Sequence, residues 1–273
     1  QEFGAWAAAI SRDIDRISIA AKGLEKISMG ATAVGTGLNA DVEYIEYVTE
    51  ILAFNTGLDL VGAENMVDAT QNTDVYAALS STLKICAVNL SKMANDLRLL
   101  ASGPRCGLNE INLPAMQPGS SIMPGKVNPV MAEVVNQVAF QVIGNDMTVS
   151  LASEGGQLEL NVMEPVLTFN LLQSLEILRN VVTVFADKCV RGITANVQRC
   201  RQMVEQSVGI ITAINPHVGY ETATVIAKEA ITTGRPIREI VLERGILTEE
   251  ELDIILNPQE MTKPGIPGAQ LLK

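Results

Sequence analysis

The chain has 273 residues, 47% of them hydrophobic and only 4% aromatic, so it can bury a sizeable core built of aliphatic side chains. A net charge of −11 argues against nucleic acid and anionic membrane surfaces, both of which call for basic patches. Four cysteines without a CxxC pair, beside a single His217, exclude a zinc set, and no apolar run reaches the ~18 residues of a membrane span.

Residues 2–28 carry Trp6, Ile10, Ile14, Ile17, Ala21 and Leu24 at helical spacing, which predicts one amphipathic helix. The glycine-rich stretch 30–39 (GATAVGTGLN) breaks it; without strand context this reads as a close-packed connection rather than a dinucleotide loop. A shorter helix follows over 41–56, capped by Asp41 or Asn39. The longest clean pattern runs from Met66 to Ala101, where Val75, Leu79, Leu83, Cys86, Leu90, Met93, Leu97 and Leu100 step by three or four. One helix of ~35 residues would be ~50 Å long and suits a shared bundle. It should stop at Ser102-Gly103-Pro104, and 104–118, with three prolines, reads as an extended excursion.

Two further helices are predicted over 129–153 and 157–190, joined near Gly155-Gly156, with a kink in the second at Pro165. The first is apolar on most sides (Val130, Met131, Val134, Val135, Val138, Phe140, Val142, Ile143), the pattern of a buried helix. After Gly192 the helices are shorter and more charged, and Thr248 with Glu250 and Glu251 marks a helix start. The expected architecture is all-α: a helical-bundle domain over 1–192 and a small C-terminal helical domain over 193–273. More apolar surface is expected than one copy hides, which predicts a homo-oligomer.

Between the bundle helices lies Gly119-Ser120-Ser121-Ile122-Met123-Pro124-Gly125-Lys126-Val127-Asn128-Pro129. Its Gly and Pro breakers fix an irregular backbone whose amides cannot all bond internally. Lys126 adds a positive charge and Asn128 a neutral donor, which suits a substrate with carboxylates. A plain helix–helix connection is the competing reading. A phosphate-binding P-loop is excluded: five residues separate Gly119 from Gly125 instead of four, Val127 follows the lysine, and no strand precedes.

This loop resembles the signature loop of the aspartase/fumarase superfamily, whose members eliminate across a Cα–Cβ bond to release fumarate. The resemblance continues through residues 30–39, SGPRCGLNEINLP (102–114), GQLELNVMEPV (156–166) and INPHVGY (214–220). NEINLP and LNVMEPV are closer to the forms in the family's aspartate-specific members than to the GELSLP-like and NVFRP-like forms of its hydratases. The resemblance implies a small dicarboxylate substrate (aspartate and fumarate) and a homotetramer whose sites draw on three subunits. By motif position it implies Ser120 as catalytic base and Ser121, Ile122 and Met123 lining the substrate. Lys126 and Asn128 would bind its carboxylate and polar groups, and Glu133 would pair with a histidine in a segment upstream of this sequence.

The chemistry sets its own requirement. Removing a weakly acidic Cβ proton gathers charge on the neighbouring carboxylate, so the site must hold that dianion better than the ground state. A serine serves as base only if amides and a cation stabilise its alkoxide. Elimination of ammonia from aspartate is the leading expectation, with hydration of fumarate and an inactive assembly module as alternatives. His217 and Cys106 are assigned no catalytic part, and no motif calls for a metal or organic cofactor. The free thiols suit a reducing cytoplasm. The opening Gln-Glu-Phe inside a helical pattern reads as part of a longer polypeptide, inactive by itself.

Overall fold

The computed structural model describes residues 1–272, which divide into two compact units at the boundary between Thr194 and Ala195. In the first unit six helices carry the fold: α1 (Glu2–Lys22), α2 (Val42–Thr56), α3 (Met66–Gln71), α4 (Asp74–Leu100), α5 (Val130–Glu154) and α6 (Glu164–Lys188). Two-residue segments, β1 (Lys26–Ile27) and β2 (Val61–Gly62), pair in parallel. The all-α architecture expected from the periodicity is therefore correct.

The core is aliphatic, as composition demands. Leu79, Leu83, Leu90 and Leu97 of α4 meet Ala132, Val135, Ala139, Val142 and Val149 of α5 and Leu167, Leu171, Leu178 and Phe185 of α6. Alanines at two of these positions, Ala132 and Ala139, let α4 and α5 lie close, since buried helices approach to the distance their contact side chains allow. Burying one leucine side chain contributes about 1.5–3 kcal/mol, so this seam alone outweighs any surface ion pair in the unit.

Several element boundaries differ from the periodicity, and side-chain chemistry explains each. The pattern over 66–101 is two helices, because Asn72 is extended at φ −97°, ψ 127°. Thr73, 2% exposed, uses its hydroxyl across the break: it donates to Ser153 Oγ at 3.1 Å and accepts from Asn161 Nδ2 at 3.1 Å. Short polar side chains that bond outside the helix compete with its continuation. Helix α1 stops at Lys22, where Gly23 opens a 3-10 turn that leads into β1. Pro165 does not kink a helix: it stands in the first turn of α6, where its missing N–H costs nothing. Residues 157–163 form a turn held by Asn161, whose Nδ2 also donates to Ala152 O at 2.9 Å and whose Oδ1 accepts from Met163 N at 2.9 Å.

The stretch after α4 is not extended either. Asn109 N and Glu110 N bond back to Ser102 O (2.7 Å) and Leu100 O (2.9 Å), folding 102–110 onto the helix end. The glycine-rich connection is close-packed: a Cβ on Gly35 would lie 2.3 Å from Val67 Cα. Helix α5 is buried on one face only, with Phe140, Met147 and Leu151 each above 60% exposed on the other.

The second unit holds α7 (Val197–Gln206), α8 (Ile211–Val218), α9 (Tyr220–Thr233), α10 (Ile237–Glu243), α11 (Glu249–Ile255) and α12 (Pro258–Met261) around Ile214, Ile226, Ile237, Ile240, Leu252 and Ile255. Thr248 caps α11 in a full capping box with Glu251. His217 Nε2 contacts Pro267 O at 2.8 Å, a packing role inside this unit. No described helix is long and apolar enough to cross a membrane.

Candidate active site

The loop 119–129 leads directly into α5, so the site is built at one end of the bundle. It closes on itself: Gly119 N donates to Lys126 O at 3.0 Å, and Asn128 Nδ2 donates to Gly119 O at 2.8 Å. Gly119 is required by this closure, because a Cβ there would sit 2.1 Å from Lys126 O. Gly125, at φ +78°, supplies the left-handed residue of the turn. Ser120 Oγ accepts from Ile122 N at 3.2 Å, a local turn that shapes the segment ahead of Met123. Lys126 N reaches Met123 O at 3.3 Å, and Pro129 O takes Glu133 N at 3.0 Å as the helix begins.

Closure makes Ser120 and Lys126 neighbours, since Gly119 is covalently joined to the first and hydrogen-bonded to the second. Among the described residues Lys126 forms no ion pair, and the amides of Ser121 and Met123 find no protein acceptor. Such a set of uncompensated donors beside one cation favours an anion. Residues 115–120 and 123–127 line a cleft of about 490 Å³, a volume that holds a small molecule. A larger cleft of about 720 Å³ is lined by Glu64, Asp68 and Asp74 with Lys26. Its acidic wall repels a dicarboxylate, so the chemistry, not the size, selects the loop.

Of the residues singled out by sequence, Ser120, Met123 and Lys126 line this cleft, whereas Ser121, Ile122, Asn128 and Glu133 do not. Ser120 is half-buried, while Ser121, Met123 and Lys126 are exposed and Ile122 is 90% exposed. Asn128 spends its amide nitrogen on closing the loop, a duty the composition did not reveal. Glu133 is half-buried on the first turn of α5 and has no side-chain bond among the described residues, so the intrachain partner that burial would require is not needed. Cys106 is exposed. Burial instead pushes Cys86 and Cys189 up to about 11, and the Asp13 carboxylate adds to the effect at Cys86. Among the described residues no group of His, Cys, Asp and Glu is arranged to hold a metal.

Sequence reasoning missed the buried amide Asn136, one turn beyond Glu133. Its Oδ1 accepts from Arg98 at 3.0 Å, and its Nδ2 donates to Ser91 Oγ (2.8 Å), Ser91 O (3.2 Å) and Asn95 Oδ1 (3.0 Å). A polar residue amid Val134, Val135 and Val138 was the available signal.

The chain is 64% identical over all 273 residues to aspartate ammonia-lyase of Bacillus subtilis (strain 168), covering 58% of that protein. Against aspartate ammonia-lyase of Helicobacter pylori (strain ATCC 700392 / 26695) it is 52% identical over 264 residues, or 97% of the chain and 56% of the relative. The chain therefore spans somewhat more than half the length of the curated relatives it matches. Among solved structures, fumarate lyase:delta crystallin from Brucella melitensis bound to cobalt superimposes with TM-score 0.92 at 47% identity, covering 97% of this chain and 57% of that one. Recombinant class II fumarase from Schistosoma mansoni gives TM-score 0.89 at 36% identity over 97% of this chain and 58% of its own. The Fumarase C C-terminus model matches residues 210–263. The Lyase model matches residues 1–144, more than half of the chain and the whole closed loop, so the chain belongs to this lyase family, the aspartase/fumarase superfamily.

Proposed function

We propose that the protein carrying this chain is an ammonia-lyase that converts L-aspartate reversibly to fumarate and ammonia. The observation that supports it most directly is the closed loop, which sets Ser120 beside an ion-pair-free Lys126 and free amides at the mouth of a small cleft. In this reading the Ser120 alkoxide takes the Cβ proton, and the electron pair moves onto the adjacent carboxylate as an enediolate. Lys126 and the amides of Ser121 and Met123 hold that charge as it develops, where preorganised donors act most strongly. Collapse of the enediolate forms the Cα–Cβ double bond and breaks the C–N bond, and the amine leaves as neutral ammonia. Asn128 keeps the loop closed, Met123 lines the cleft, the exposed Ile122 stands beside it for substrate contact, and Glu133 stands one helical turn away for a partner from another segment.

Aspartate is preferred over malate because the 64% and 52% identical relatives bear the ammonia-lyase name, whereas the fumarase structure is 36% identical. A homotetramer is part of the proposal, supported by the exposed Phe140, Met147, Leu151, Phe169 and Leu172 of α5 and α6. The test is fumarate formation, followed by ultraviolet absorbance, from aspartate and from malate with the full-length protein. Ser120→Ala should abolish turnover without changing assembly, and Ser121→Ala should retain more activity. The reverse ranking would show the base to be Ser121, and fumarate from malate alone would make the enzyme a hydratase.

A further inference from the structure

Helices α4 and α5 are antiparallel and share two buried polar locks. One centres on Asp146, 4% exposed, which accepts from Ser80 Oγ at 2.8 Å and from Lys84 Nζ at 2.5 Å. The other centres on Asn136, also 4% exposed, with its four bonds to Ser91, Asn95 and Arg98. Ten residues separate them, about 15 Å along the helix. Their positions differ in what they can control. Asn136 lies about 9 Å from the residue at which the loop becomes helix, and on the same face as Glu133 three residues earlier. Asp146 lies at mid-helix, far from the loop.

We propose that Asn136, through Arg98, Asn95 and Ser91, is a positioning residue for the active-site loop and Glu133; the inference rests on the function proposed above. The apolar contacts of α5 are alanines and valines, whose short side chains resist axial rotation weakly. Buried polar groups resist it more, because any rotation strands them without partners. Asn136 is satisfied on both its oxygen and its nitrogen, so its four bonds are lost together if α5 turns. A rotation of roughly 20° would swing the Glu133 carboxylate, on the order of 6 Å from the axis, through about 2 Å. It would also shift Pro129, to which the closed loop is tethered. Arg98 supports this by charge as well: among the described residues it forms no ion pair, so its guanidinium is engaged by the amide oxygen of Asn136.

Two readouts separate positioning from mere stability: the split between kcat and KM, and the thermal midpoint. In the full-length enzyme, Asn136→Leu should lower kcat about 10–100-fold with KM within about threefold, since misplacement near 1 Å costs about that much. Lys84→Met removes a partner from the mid-helix lock; it should lower the midpoint comparably and leave kcat within about twofold. The double variant Arg98→Met/Asn136→Leu exchanges the polar pair for apolar side chains, and should regain stability without regaining kcat. If Asn136→Leu does not assemble, Asn136→Asp serves instead: it keeps the acceptor for Arg98 and loses the donors to Ser91 and Asn95. Wild-type kcat in Asn136→Leu or Asn136→Asp, or restored kcat in the double variant, would overturn the assignment alone. A wild-type enzyme that forms no fumarate from either substrate would overturn the proposed function and this assignment with it.

Discussion

Replacing Gly119 with alanine probes the loop most selectively. The added Cβ would lie 2.1 Å from Lys126 O, 2.6 Å from Lys126 C and 3.1 Å from Val127 N. Nonbonded heavy atoms are comfortable near 3.5 Å, so the two strands of the loop must part by roughly 1 Å or more. Both obstacles are backbone, and neither can rotate away as a side chain would. The shift removes the Gly119 N to Lys126 O bond and strains the one from Asn128 Nδ2 to Gly119 O. At about 0.5–1.5 kcal/mol each, these cost the fold no more than about 3 kcal/mol. The bundle core lies elsewhere and is untouched, so the thermal midpoint should fall only slightly.

The catalytic consequence is larger. Ser120 and Lys126 are neighbours only through this closure, and an error of about 1 Å between base and cation costs on the order of 100-fold in rate. Gly125→Ala is the control. It stands at φ +78° in open space, so an alanine there meets strain of about 1–3 kcal/mol but no clash. Fumarate release by the full-length protein should drop about 100-fold in Gly119→Ala and much less in Gly125→Ala, with similar thermal midpoints. A Gly119→Ala enzyme with wild-type kcat would refute the claim that loop closure sets the site.

Lys126→Met should weaken dicarboxylate binding and slow turnover together, because one cation serves both substrate and enediolate. Lys126→Arg should not restore the wild-type rate, since a planar fork does not replace a compact ammonium; steady-state kinetics decide both. Alkylation of the folded protein should label the exposed Cys106 first, and mass spectrometry should find Cys86 and Cys189 labelled only as pH nears their raised values of about 11. Because folding raises these two thiols above their ordinary 9.0, their contribution to stability is complete below pH 9 and is lost as pH rises towards 11. Residues 1–273 expressed alone should self-associate through α5 and α6 yet release no fumarate, which sedimentation and a lyase assay on one sample would check.

What could be read from the sequence was what depends on one residue or one period. The seam Leu79, Leu83, Leu90, Leu97 repeats at helical spacing, and it is the core of α4. Thr248 with Glu251 is a local pair whose spacing defines a cap, and the cap is there. The candidate loop was legible in the same way, because Ser120, Lys126 and the breakers around them lie within eleven residues. Where the reading failed, a local rule had two outcomes and a distant residue chose between them. Proline either kinks a helix or starts one; Pro165 starts α6 because Asn161 holds the preceding turn against Ala152 and Thr73.

The break at Thr73 has the same origin. Its hydroxyl finds Ser153, eighty residues away, and that partner exists only once α4 and α5 are side by side. Asn136 makes the point most sharply. In the sequence it interrupts an apolar run and looks like a defect; opposite Ser91, Asn95 and Arg98 it becomes fully bonded. An unexplained polar residue in an apolar helix is therefore a statement about register, since its partners must lie at one axial position and one rotation of the neighbouring helix. Here that rotation also aims Glu133 and the loop behind it. The residue least explained by the sequence is thus the one whose removal should reveal whether the bundle only carries the site or also aligns it.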